Sequence, residues 1–328
     1  MVMIRTVPLP QKLIEGSYFE NLKYKVIDTG ICSHCGTCSA VCTAYCIIED
    51  SNGPIRLSGD CLDCGLCVKV CPRWNYDGKG GIGQYLEIFS AKSKRFKGQD
   101  GGIVTELLVT ALEEKIIDRA VVVDKTNDWQ PKVIIATKID QVINAAGTKY
   151  SFAPVMSELR KAVFRSKIGV GFVGTPCMIS GLRMLQKCVK SFRKVKLAIG
   201  IFCMENFYYN SLREFLANKG VDIKKVVWMG ISKGKFMVKE REREVSFPVK
   251  ELKSIIPSGC KVCKDFTAIE SDVSVGSVGS PDGFSTVIVR TEDGKKVIEI
   301  VKDREYVEVG EVQIKDVEKL CNLKMKSK

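Results

Sequence analysis

Cys32-Ser-His-Cys35-Gly-Thr-Cys38-Ser-Ala-Val-Cys42 is followed by Cys61-Leu-Asp-Cys64-Gly-Leu-Cys67-Val-Lys-Val-Cys71-Pro72, and both stretches read C-x2-C-x2-C-x3-C. Three cysteines on one tight loop can set their thiolates on three corners of an iron–sulfur cube. The fourth leaves the loop on a helix and reaches the neighbouring cube. The spacing therefore pairs Cys32, Cys35 and Cys38 with Cys71, and Cys61, Cys64 and Cys67 with Cys42. Gly36 and Gly65 occupy matching positions, where a side chain would crowd inorganic sulfur. Zinc on Cys-x-x-Cys pairs is the alternative, but it needs only four thiolates per site and has no use for the third cysteine at this spacing.

The two runs differ in detail. Thr43 stands where the second run has Pro72, and Cys46 is an extra thiol. Cys46 is expected to be a free core cysteine, with substitute ligation as the other reading. His34 is the only histidine and lies between ligands, so its expected role is a hydrogen bond to sulfur or plain exposure.

Outward from these runs, the chain has 328 residues, enough for a small module and a larger domain. Hydrophobic residues make up 45% and no apolar run approaches the ~18 residues of a membrane span. The first ten residues contain Arg5 and two prolines and have no apolar core of signal-peptide length. The expected location is therefore cytoplasmic, or peripheral on the cytoplasmic face of a membrane complex. Fifteen cysteines in a reducing compartment mean metal or redox chemistry rather than disulfides. The formal charge is +13 with neutral thiols. Loading three oxidised clusters on twelve thiolates would bring it to about +7. Lys and Arg are spread along the chain without an aromatic-interleaved stripe, which argues against nucleic acid and for an anionic substrate or a solvated surface.

The expected fold is α+β: an arm over 1–30 with a short strand, a ferredoxin-like two-cluster module over 31–75, a glycine-rich linker over 76–84, and a larger α/β domain over 85–328. Helical spacing appears over Gly102–Lys115 and Val155–Phe164, and a basic helix from Val312 onward. Ala120–Val123 and Val133–Ala136 read as strands, and Ile168–Val173 and Leu197–Phe202 as buried ones. Val226–Ile231, Lys235–Val238, Glu244–Phe247, Ser285–Arg290 and Lys296–Val301 read as strands of a more antiparallel region.

Six cysteines remain beyond the module. Cys177 follows Gly174-Thr175-Pro176 at a strand end, Cys203 ends another strand, and Cys260 and Cys263 form a Cys-x-x-Cys. Strand ends and a loop can converge at the carboxyl edge of a sheet, so these four can hold a third cluster or be ordinary buried thiols. Cys188 and Cys321 have no such setting and are expected to be structural.

Six segments, taken in order, carry a resemblance: Gln99-Asp100-Gly101-Gly102, Gly147-Thr148-Lys149-Tyr150, Gly174-Thr175-Pro176-Cys177, Phe202-Cys203-Met204-Glu205-Asn206-Phe207, Cys260-x-x-Cys263-x-Asp265-Phe266, and Asp272 to Gly283. Together they resemble the family of coenzyme F420 hydrogenase/dehydrogenase beta subunits, over roughly Leu86 to Val301. With its N-terminal two-cluster module the chain is similar to the input subunits of F420H2 dehydrogenases, and F420H2-dependent sulfite reductases carry a similar fusion. The resemblance implies FAD, a third 4Fe–4S cluster on Cys177, Cys203, Cys260 and Cys263, and coenzyme F420 as the hydride partner. Other redox subunits or ferredoxin would be the one-electron partner. It also implies flavin contacts at Gln99, Asp100, Gly101, Gly102, Thr105, Gly147, Thr148, Lys149, Tyr150, Gly276, Ser277 and Gly279, although Ser277 stands where many relatives have Asp.

The residues fit such a role in part. Gly101 and Gly102 precede a helix and can turn backbone N–H groups to an anion. Gly276 to Gly283 offers close backbone approach, Lys149 a cation, and Thr105 and Thr148 hydroxyls. No Rossmann-type G-x-G-x-x-G leading from a strand into a helix is read, so nicotinamide is not the favoured donor. The expected activity is electron transfer between F420, as hydride through FAD, and one-electron carriers through the clusters, with the chain as the F420H2-oxidising component of a larger complex. The alternatives are a same-fold flavin reductase linked to ferredoxin with another substrate, and a non-catalytic iron–sulfur relay.

Overall fold

The structure is a computed structural model that describes residues 8–326. The first seven residues of the expected arm therefore lie outside the described residues.

The module begins with α1 (Tyr18–Leu22), capped by a Ser17/Glu20 capping box, and continues directly into a π-helical turn, Lys23–Ile27. Among the described residues 8–30 this takes the place of the expected short strand. Phe19, Leu22 and Val26 turn inward at helical spacing, and that stripe outweighs the local extended propensity. Then come α2 (Thr37–Val41), the short pair β1 (Ile47–Ile48) and β2 (Arg56–Leu57), and α3 (Leu66–Lys69). Gly36 and Gly65 precede α2 and α3 in left-handed conformation, with φ of 76° and 72°. His34 and Asp63, at equivalent places in the two runs, are also left-handed. The sequence repeat is thus a conformational repeat, and each glycine is fixed first by its backbone angle.

The larger part opens with β3 (Glu87–Ser93), α4 (Ile103–Glu113), β4 (Arg119–Lys125), β5 (Pro131–Ala136), α5 (Ile139–Asn144) and α6 (Val155–Arg165). It continues through β6 (Val170–Gly174), α7 (Pro176–Cys188), β7 (Val195–Ile201) and α8 (Tyr209–Asn218). Next come β8 (Val226–Ser232), β9 (Lys235–Glu240), β10 (Glu244–Pro248) and α9 (Ser258–Lys261). It closes with β11 (Val273–Gly276), β12 (Ser285–Val289), α10 (Glu292–Asp303), β13 (Val307–Gly310) and α11 (Ile314–Lys326).

Eight strands form one sheet in the order β13-β3-β12-β11-β7-β6-β4-β5. Its centre, β11-β7-β6-β4, is parallel, and the flanks are antiparallel. Helices α4 and α10 cover one face, and α6 and α7 the other. The apolar runs of β6 and β7 have no polar face because both faces are covered. Burying one side chain such as Leu182 or Leu108 in these layers contributes about 1.5–3 kcal/mol.

Two assignments change. Residues 296–301 are not a strand but the middle of α10, whose N-cap Thr291 accepts a hydrogen bond from the N–H of Gly294. Val297, Ile298 and Val301 form its buried stripe. Residues 285–289 belong to the main sheet, between β3 and β11. Only β8, β9 and β10 make the separate antiparallel sheet, which with α8 encloses its own core around Phe207, Leu216 and Phe236.

The module is not a pendant. Cys35, Ala40, Val41, Leu66 and Val70 share one core with Met178, Ile179 and Leu182 of α7. Segment 76–84 lies along the chain at 264–267, where Thr267 Oγ1 donates to the carbonyls of Gly81 and Ile82.

Candidate metal centres

Burial and mutual charge sort the thiols into three groups. Cys38 is driven well above its ordinary pKa by burial and by the charges of Cys35, Cys32, Cys71 and Cys67. Cys71 is raised by burial and faces Cys35 and Cys32. A pocket in the module is lined by Cys32, Cys35, Cys38 and Cys71, with Leu22, Val26 and Ile27 as its apolar wall. Cys67 is pushed up to about 12 by burial and faces Cys64, Cys61 and Cys42. The fourth cysteine of each run sits within electrostatic reach of the other run's triplet.

Cys46 is 3% exposed, and its Sγ is 3.4 Å from Cys42 Sγ. It is a buried neighbour of a candidate ligand. His34 is neither exposed nor turned to a sulfur. Its Nε2 is 2.7 Å from Tyr208 Oη, its ring stacks edge-on with Tyr208, and burial lowers its pKa to about 4.

The third group assembles at the carboxyl ends of the parallel strands. Thr175 and Pro176 turn the chain out of β6 into α7 and place Cys177 in its first turn. Cys203 follows β7, its N–H bonded to the carbonyl of Phe266. Cys260 is in the single turn α9, and Cys263 N–H bonds back to the carbonyl of Cys260. Cys177, pushed up strongly by burial, faces Cys263, Cys35 and Cys203. Cys203, at about 12, and Cys260, at about 11, are raised by burial and face Cys263. To act together as thiolates, these four would need a cation to compensate their charge. Among the described residues no three His, Cys, Asp or Glu are grouped to hold a single ion.

The first and third groups adjoin. Cys177 Sγ is 3.7 Å from the carbonyl oxygen of Ser33. Gly259 lies against the backbone of Cys32 so closely that a Cβ there would sit 1.9 Å from the carbonyl oxygen. Cys188 and Cys321 are buried in separate apolar clusters.

The residues expected to bind flavin divide. Gln99 joins two loops, donating from Nε2 to the carbonyl of Met229 at 2.8 Å and accepting from Thr148 N–H at 3.4 Å. Gly147 lies beside it in left-handed conformation. Tyr150 packs edge-on against Phe236 of the small sheet, with Asp100 in electrostatic reach. Asp100 is raised by burial and by Asp282, which brings the loop after β11 to the same place. Gln99, Asp100, Thr148 and Tyr150 thus gather between the main sheet's carboxyl edge and the small sheet.

Other expected contacts are committed to the fold. Gly101 N–H donates to Ser285 Oγ, and a Cβ at Gly101 would lie 2.3 Å from the carbonyl of Ala91. Gly102 has φ of 70°, and a Cβ there would lie 2.4 Å from the carbonyl of Phe96. Thr105 is buried in the first turn of α4. Lys149 Nζ donates to the carbonyls of Ala145, Ala146 and Gly147, closing the end of α5, and burial lowers its pKa to about 8. Gly276 adjoins the Phe202 ring, and the Ser277 carbonyl accepts from Ser280 N–H. Gly279 packs against Val317 and Gln313, where α11 begins. A larger open cleft lies beyond the C-terminal end of α4, lined by Lys115, Asp118, Lys138 and Ile168, and contains none of these residues.

Sequence reasoning missed Arg73 and Lys324. Both are buried against the third thiol group. The signal for Lys324 was available: with Val317 and Cys321 it falls at helical spacing on the inward face of α11.

Known proteins share these features. Residues 24–73 match the 4Fe-4S dicluster domain, residues 88–160 the N-terminal part of the coenzyme F420 hydrogenase/dehydrogenase beta subunit, and residues 168–315 its C-terminal part. The chain is 42% identical over 250 residues to the beta subunit of coenzyme F420 hydrogenase from Methanothermobacter thermautotrophicus, covering 73% of this chain and 87% of that protein. It is 32% identical over 319 residues to a subunit of the F420H2 dehydrogenase of Methanosarcina mazei, covering 92% and 91%. It is 38% identical over 323 residues to the coenzyme F420-dependent sulfite reductase of Methanocaldococcus jannaschii, and spans 50% of that protein's length. A chain of the F420-reducing NiFe hydrogenase complex from Methanosarcina barkeri superposes with a TM-score of 0.72 at 33% identity, covering 75% of this chain and 90% of that one.

Proposed function

The chain belongs to the family of coenzyme F420 hydrogenase/dehydrogenase beta subunits, and we propose that it passes electrons between coenzyme F420 and a one-electron partner through FAD and three 4Fe–4S clusters. Cys177, Cys203, Cys260 and Cys263 would hold the cluster nearest the flavin. Cys32, Cys35, Cys38 and Cys71 would hold the next, and Cys61, Cys64, Cys67 and Cys42 the outermost. The contact of Cys177 with Ser33 and of Gly259 with Cys32 supports this order, because it joins two cysteine sets that lie far apart in sequence.

FAD, when bound, exchanges electrons in pairs with a hydride carrier and singly with a cluster. Gln99, Asp100, Thr148 and Tyr150 would present the face that receives it, with Gly276 and Ser277 at its edge near Phe202. Gly101, Gly102 and Gly279 serve it indirectly, by keeping the surrounding backbone in place. Lys149 orders the loop that carries Thr148 and Tyr150. Phe202, Phe266 and the small sheet's Phe236 keep the surroundings apolar. The chain's positive charge suits the phosphate and polyglutamate tail of F420. Cys64 is exposed, which suits the outermost cluster to meet ferredoxin or another redox subunit. No helix among the described residues is long and apolar enough to cross a membrane.

The test is anaerobic purification with iron, sulfide and flavin quantified, followed by titration with F420H2. Bleaching of bound flavin followed by cluster reduction is expected. Reduction by NADPH or ferredoxin but not by F420H2 would replace the substrate assignment, and a flavin-free protein would leave only a relay.

A further inference from the structure

Two cations are buried against the third thiol group from opposite ends of the chain. Arg73 follows Cys71 and Pro72 in the module and is 3% exposed. Its guanidinium carbon lies 3.8 Å from the Tyr76 ring centroid, and its Nη1 has no hydrogen-bond partner. Burial opposes its charge, yet Cys263, Tyr76 and Cys177 hold it above its usual range. Lys324, on α11, is also 3% exposed, and its Nζ donates to the carbonyl of Cys203. Burial is again outweighed, here by Cys203, Cys263, Cys260 and Cys177 together. Glu205 and Asp265 are within electrostatic reach of Lys324. Neither cation makes an ion pair with a carboxylate among the described residues.

A buried cation with no carboxylate in ion-pair contact is costly, and an orphaned guanidinium N–H adds to that cost. Four thiolates on an oxidised cube leave two negative charges over, and Arg73 with Lys324 supplies two positive ones. We propose that Arg73 and Lys324 form a two-cation clamp that neutralises the oxidised cluster on Cys177, Cys203, Cys260 and Cys263 and raises its reduction potential. Net charge and hydrogen bonds to sulfur are two of the levers that set such potentials. The step is a one-electron reduction in which no bond forms or breaks, the electron coming from reduced flavin or, in the test, from dithionite. Both are positioning residues. Arg73 also faces Cys32 of the first group, so its influence reaches two clusters, whereas that of Lys324 is confined to one.

The inference rests on the third cluster proposed above, and iron content separates the two. About eight irons per wild-type chain would refute the third cluster itself, whereas about twelve, four per site, leave the clamp to be tested. Potentiometric titration followed by electron paramagnetic resonance is then run on Arg73→Met, Lys324→Met and Lys324→Arg. Lys324→Met is expected to lower the potential of the third cluster alone. Arg73→Met should lower the third and, through Cys32, the first, and Lys324→Arg should stay near wild type. Unchanged potentials in both methionine variants overturn the clamp. If the methionine variants lose about four irons, retention in Lys324→Arg supports a requirement for charge, and loss there too refutes it.

Discussion

Gly259→Ala probes the contact on which the proposed route depends. The added Cβ would lie 1.9 Å from the carbonyl oxygen of Cys32, 2.6 Å from its carbonyl carbon and 3.1 Å from Ser33 N. Real Cβ contacts stay beyond 3.0 Å, so the loops carrying Cys260 and Cys32 must separate by at least 1.1 Å, the difference between those distances. All three obstructing atoms are backbone, so no side chain can swing aside. Overpacking of this kind costs about 1–3 kcal/mol. At a few degrees per kcal/mol, the melting temperature should fall by roughly 3–10 °C. Gly53→Ala is the control, since nothing lies within 4 Å of its added carbon. Spin coupling between the two adjoining clusters should weaken in Gly259→Ala alone. A variant with wild-type melting temperature and unchanged coupling would refute the contact, and with it the order of the route.

Cys177→Ala should remove about four irons and leave the module's signals intact, measured as iron per chain. Cys46→Ala should leave iron content unchanged, since Cys42 completes the spacing of the first run. Gly102→Val should lower stability as a whole, because its side chain meets the carbonyl of Phe96, and thermal unfolding of the flavin-free protein reads this directly. Lys149 should lose its proton near pH 8 instead of 10.5, read by the pH dependence of its reductive methylation. Because the folded pKa is depressed, the charged form opposes folding below about pH 8, and that penalty is relieved as pH rises towards 10.5.

The proposed cysteine pairing can be read from the sequence because a cube's corners restrict spacing more tightly than most packing does. The buried strands β6 and β7 were legible because a strand covered on both faces has no polar positions. Residues 296–301 were not, since Val297-Ile298-Glu299-Ile300-Val301 fits strand and helix periods equally. Thr291 four residues before Lys295 was the discriminating cap. The short β11 was hidden in a run of small residues, Val273-Ser274-Val275-Gly276, that reads as loop. The proposed flavin face was the least legible part. Gly101, Gly102 and Gly279 look like ligand glycines, but each is required by a backbone or side chain that arrives from another segment. Arg73 and Lys324 gain meaning only where the module and α11 meet.

The crossed fourth cysteines have a bearing on biogenesis. On the proposed ligation Cys42 would close a nest built mainly by Cys61, Cys64 and Cys67, and Cys71 would close the one built by Cys32, Cys35 and Cys38. One nest would be whole only once residue 67 has emerged from the ribosome and the other only once residue 71 has, so neither repeat could be excised to leave a working half. Delivery of inorganic sulfide and iron to this region would then wait for a nascent chain long enough to interlock, and a point lesion in one repeat would be felt in both.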